Sequence, residues 1–139
     1  MKSTFDRSRS LEQLEGRRWP DPPQDSTSLV KVVHALRRRP VEQLTVEELA
    51  RLIGQEVGLR WLMPVALEIL RETAPGQAAG GFYDDDLLTA VLTVNPDFWR
   101  AEPGPAAELR EILGILVDLG PYIEPDAERF LKAFPGVDS

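Results

Sequence analysis

The stretch from Thr45 to Glu72, TVEELARLIGQEVGLRWLMPVALEILRE, constrains the fold more than any other part of the chain. In its second half Leu59, Leu62, Met63, Ala66, Leu67 and Leu70 fall at i, i+3, i+4, i+7, i+8 and i+11, one complete helical stripe. Trp61, Val65 and Ile69 recur at i, i+4 and i+8 and form a second stripe. Only a narrow strip through Arg60, Glu68, Arg71 and Glu72 stays polar. A helix that is apolar almost all round must be covered on several sides, so this one belongs at the centre of a helical domain. Pro64 interrupts the pattern. It has no amide proton and its ring crowds the carbonyl of Arg60, which predicts either a kink or a helix restarting with Pro64 in its first turn.

The flanking sequence supplies further helices. Residues 1–9 read as a flexible tail, and residues 10–136 as one domain. Ser10–Gly16 reads as a single helical turn, capped by Ser10 and stopped by Gly16. Three prolines hold Trp19-Pro20-Asp21-Pro22-Pro23 extended, with Trp19 expected to tuck into a groove rather than stand as an exposed contact. A helix over 27–38 follows, with Leu29, Val32, Val33 and Leu36 expected inward. Thr45-Val46-Glu47-Glu48 is a capping box, and Gly54 and Gly58 break the chain into a turn around Gln55-Glu56-Val57. Ala74–Gly81 reads as a mobile loop. Asp84-Asp85-Asp86 opens a helix carrying Leu87, Leu88, Val91 and Leu92, and Asp97-Phe98-Trp99 begins a short turn. Two further helices start near Pro105 and Pro125, the first with Leu109, Ile112, Leu113, Leu116 and Val117 inward, the second with Ala127, Phe130, Leu131 and Phe134. No segment alternates like a strand. The expected fold is all-α, a single-domain bundle of five or six helices around a central apolar helix.

Composition narrows the function classes. The sequence has no cysteine, which removes disulfides, thiol catalysis and cysteine-ligated metals. No uninterrupted apolar run approaches the ~18 residues of a membrane span, and the N-terminus lacks the apolar stretch of a secretory signal. The cytosol is therefore the expected compartment. The net charge of −7 is unevenly placed. Residues 1–40 hold nine Lys and Arg against five Asp and Glu, while the rest hold seven against eighteen. Such an acidic body disfavours direct nucleic-acid binding, which relies on cations against phosphates. It suits a basic protein partner, although acidity also serves plain solubility.

Chemical motifs are sparse. His34 is the only histidine, beside arginines on a helix, and is expected to be structural or solvated rather than catalytic. HExxH, GxxxxGK[ST] and GxGxxG patterns are absent. Arg37-Arg38-Arg39 complements the negative end of a helix dipole. The alternative is a phosphate site, but adjacent arginines fan around a helix rather than converge. Asp84, Asp85 and Asp86 form the one clear carboxylate cluster. They can cap a helix, face a cationic partner beside Tyr83, or, less well, contribute to a metal site that needs about six oxygens. Glu47, Glu48 and Glu56 add negative charge ahead of the central helix. Thr45–Gly54 scans like the first helix of a helix-turn-helix, but the next helix presents Trp61, Leu62, Met63, Val65 and Leu67, where a recognition helix needs polar side chains.

Several stretches together resemble the immunity proteins of bacterial contact-dependent growth inhibition systems. They are SLEQLEGRRWPDPPQDSTSLV (Ser10–Val30), HALRRRP (His34–Pro40), LTVEELARLIGQEVGLRWLMPVALEIL (Leu44–Leu70), and GFYDDDLLTAVLTV (Gly81–Val94) with Phe98-Trp99. The resemblance fades over the last two helices. It implies a cytosolic protein that binds the toxic C-terminal domain of a delivered effector, often a nuclease with a cationic active site, and blocks it without catalysis or cofactor. No residue roles carry over from the family. The residues expected at the interface are Tyr83, Asp84, Asp85 and Asp86, then Glu47, Glu48 and Glu56. The other readings are a small enzyme with a metal on the aspartate cluster, and a generic interaction adaptor.

Overall fold

A computed structural model describes residues 5–80 and 85–134 of the chain. Among them are eight α-helices and no strand: α1 (Leu11–Glu15), α2 (Ser28–Leu36), α3 (Val46–Gly54), α4 (Leu59–Ala78), α5 (Asp85–Leu92), α6 (Pro96–Ala101), α7 (Pro103–Ile115) and α8 (Glu124–Ala133). The fold is all-α and a single domain, and the short α1 and α6 occupy the two places where single turns were expected. A 3-10 turn over Val41–Gln43 was not foreseen.

The central helix is α4, and it is continuous through Pro64 and on through Pro75. An interior proline costs about 3 kcal/mol in a helix. Against that, Leu62, Met63, Ala66, Leu67, Leu70 and Ala74 are each at most 1% exposed. Full burial of one large aliphatic side chain is worth about 1.5–3 kcal/mol, so the buried stripe outweighs both prolines. The expected loop at Ala74–Gly81 is thereby corrected, since helix persists to Ala78. A tertiary contact helps hold that last turn. The Gln77 amide donates to the carbonyl of Val117, and its oxygen accepts the Val117 N–H at 3.0 Å.

Other helices cover α4 as its pattern requires. Helices α3, α5 and α7 pack on it, α3 packs closely on α5, and α8 packs on α5. Trp99 meets Phe130 edge-on and Phe130 meets Phe134 at a tilt, with ring centroids 5.2 Å apart at each step, and the first contact fastens α6 to α8. Besides Leu29 on α2, two residues expected inward near the C-terminal helices are exposed. Val117 follows the end of α7, where the backbone at Leu116 is already extended, and Leu131 faces outward on α8.

The turn from α3 to α4 is tight. Glu56 and Gly58 both take left-handed backbone, with φ of 57° and 64°. Gly58 also lies against Leu11, where a Cβ would sit 2.7 Å from a Leu11 methyl. Glycine is thus required there twice over, by conformation and by space.

The N-terminal segment is tied to this body. The Phe5 ring meets Trp61 edge-on at 5.6 Å, and Arg7 pairs with Glu68 at 2.7 Å. The N–H groups of Val41 and Glu42 donate to the carbonyls of Arg9 and Arg7. Residues 5–9, where the sequence suggested a tail, therefore carry specific contacts.

Candidate functional site

The packing of α3 on α5 decides which carboxylates meet. Glu47, Arg51 and Gln55 recur at i, i+4 and i+8, so they form one row along α3. Asp86, in the first turn of α5, faces that row, and together they line an open cleft of about 510 Å³. Glu47, Arg51 and Asp86 are all exposed. Two of the expected carboxylates, 39 positions apart, thus share one surface. Arg51 stands in the same cleft and offsets part of their charge.

The remaining expected residues separate. Asp85 is exposed at the start of α5. Glu48 turns the other way. One of its oxygens accepts the Thr45 N–H at 2.9 Å, closing the capping box, and the other accepts Arg39 at 2.7 Å. The Thr45 N–H, then Arg39, hold its carboxyl below the ordinary glutamate value. Glu56 accepts the backbone N–H of Asn95 at 3.1 Å and so joins the α3–α4 turn to the start of α6. Glu48 and Glu56 therefore have structural work besides any contact with a partner. Tyr83 and Asp84 lie outside the described residues. Among the described residues, no three His, Asp or Glu side chains gather closely enough to hold a metal ion.

The arginine run diverges, with each member held by different carboxylates. Arg37 is buried, pairs with Glu15, donates to the carbonyl of Arg17 at 3.2 Å, and stacks on Trp19 at 3.9 Å from the ring centroid. Arg38 reaches Asp21 at 2.6 Å and Glu12 at 3.4 Å, and the pairing lowers the carboxyl of Asp21. Arg39 takes Glu48. Trp19 is packed as expected, though its covering group is a guanidinium. His34 meets its edge at 5.1 Å.

One feature of the surface escaped the sequence reading. Leu29, expected inward, is 40% exposed, and Val30 is 39% exposed. With Trp19, His34, Gln55 and Val57 they line an apolar groove of about 270 Å³. The available signal was the density of apolar residues: Leu29, Val30, Val32 and Val33 are more than one covered helical face can take.

The sequence pattern of one protein family, described as CDI immunity proteins, matches residues 13–109, more than half of the chain. No curated protein and no solved structure matches it.

Proposed function

The chain belongs to the family of CDI immunity proteins, and from that premise we propose that it binds the toxic C-terminal domain of a contact-delivered bacterial protein and covers that domain's working surface. The observation that carries this reading is the family match over residues 13–109. Neutralisation of this kind requires contact and no reaction, so the chain acts as a binding protein in the cytoplasm, without cofactor. Among the described residues, no helix is long and apolar enough to cross a membrane.

The toxin domain is taken to be basic, as a nuclease active site is. Carboxylates arranged against such a site stand in for the phosphates it normally attracts. The residues assigned to it are Asp85, Asp86 and Glu47, with Tyr83 and Asp84, which precede Asp85 in the sequence, and with Glu48 and Glu56. The shared cleft of Glu47 and Asp86 supports this choice.

Co-expression tests the function. Cells making the C-terminal domain of a large exported protein, sought among the genes next to this one, should stop growing, and this protein should restore growth. Failure to rescue would overturn the reading. Reversing two charges, with Asp85→Lys and Asp86→Lys together, tests the surface. Affinity should drop by about tenfold or more while the helical circular dichroism is kept, since acid at a helix start is worth only about 0.3–1 kcal/mol per residue. Unchanged affinity would place the interface elsewhere.

A further inference from the structure

The apolar groove and the acidic cleft are neighbours, because Gln55 forms part of the wall of both. We propose that they act as one interface, in which the groove beside Trp19 takes an apolar side chain of the toxin domain whose basic residues face Glu47 and Asp86. This rests on the reading of the chain as an immunity protein.

Three observations support the groove as an anchor point. Leu29 and Val30 are adjacent, aliphatic and about two-fifths exposed, on a helix whose Val33 and Leu36 are buried. The wall they face is already fixed. Arg37 stacks on one face of Trp19 and His34 meets the ring edge-on, so Trp19 has little freedom left to lose on binding. The volume, about 270 Å³, falls below the ~300–1,000 Å³ of ordinary small-molecule sites, and suits an inserted side chain better than a cofactor.

Charge selects the occupant. A second copy of this chain would bring a net charge of −7 towards a cleft that already carries Glu47 and Asp86, and long-range repulsion disfavours it. A basic domain meets attraction there. Its apolar side chain in the groove then supplies affinity, while the carboxylates beside it supply rate and selection.

Leu29→Gln with Val30→Gln tests the groove without weakening the helix. Thr27 caps α2 by accepting the Val30 N–H at 3.3 Å, and glutamine at that position completes a capping box. A second variant, Glu47→Gln with Asp86→Asn, tests the cleft. Both are measured by surface plasmon resonance against the toxin C-terminal domain that the co-expression test identifies, made with an inactivating substitution. The groove variant should dissociate about 30-fold faster with nearly unchanged association, and the cleft variant should associate more slowly. Wild-type kinetics in the groove variant, with slowed association in the cleft variant, would overturn the groove while leaving the immunity reading intact. A groove variant that changes only sedimentation would make a second copy the occupant and overturn the proposal. No binding by the wild-type chain would overturn the underlying reading itself.

Discussion

A buried guanidinium needs several partners, and Arg37 finds them at the end of α1 and on the segment between it and the proline run. Only 1% of its side chain is exposed, whereas Glu15, which pairs with it, keeps 30%. The two partners are therefore unequal. Removing the glutamate strands a buried cation, and removing the arginine strands only a carboxylate that water can reach. Loss of one member of a buried pair costs about 3–5 kcal/mol because of the uncompensated buried charge it leaves, and the cost falls where the charge left behind reaches water. Glu15→Ala should consequently destabilise more than Arg37→Met, by about 1 kcal/mol or more, as read from urea midpoints. The reverse order would show that stacking on Trp19 outweighs the pairing. None of this was legible in the run Arg37-Arg38-Arg39 itself. Sequence spacing shows that the three fan apart, but it does not show which of them turns inward.

At the scale of elements, α3 shows how one side chain can serve two structures. Glu48 closes the cap of its own helix with one oxygen and holds Arg39, just beyond α2, with the other. Its carboxyl lies below the ordinary value of 4.5, chiefly through the Thr45 N–H and then through Arg39. A lowered folded-state value means that the contribution is complete above about pH 4.5 and is lost as the pH falls through that lower value. Glu48→Gln keeps an oxygen for the Thr45 N–H but has no charge to lose. The stability difference between wild type and Glu48→Gln should therefore be constant at neutral pH and shrink in acid, measured by thermal melts between pH 7 and 2.5. A difference independent of pH would remove the carboxylate from the account.

The cap was readable in advance because every part of it lies within four consecutive residues. The α4 stripe and the Gly54–Gly58 turn were readable for the same reason. Pro64 and Pro75 were not. Local rules assign proline a cost, and only the neighbours that bury Leu70 and Ala74 show that the cost is met. The outward face of Leu29 has the same origin, since periodicity identifies an apolar face but not whether anything covers it. The candidate surface was legible only in part. Its residue types stood out, but the meeting of Glu47 with Asp86 depends on how α3 packs against α5.

At the scale of the whole molecule, charge is partitioned along the chain, and the acidic part contains the carboxylates of the proposed interface, while its groove is built mostly by the first forty residues. Long-range attraction of this kind acts on encounter more than on residence. The association rate with a basic toxin domain should fall about tenfold or more as salt rises from about 0.01 M to 1 M, where the screening length shrinks from ~30 Å to ~3 Å. The dissociation rate should change little. A flat association rate would show that the acidity serves solubility alone.

The family pattern begins at residue 13 and ends at residue 109, inside α7, so the fold continues past the match at both ends. Gly58 lies within that span and Leu11, which fills the space beside it, lies just outside. This pair of positions sets a rule for inheritance. An exchange of segments with a relative would have to respect it. A crossover between residues 11 and 58 brings together a leucine and a glycine from different parents. If the incoming partner of Gly58 is smaller, a hole opens beside the central helix, and if the incoming residue at 58 has a side chain, it collides with Leu11. In any such exchange the first turn of the protein and the entrance to its centre are best moved as one unit, because Leu11 packs directly on Gly58.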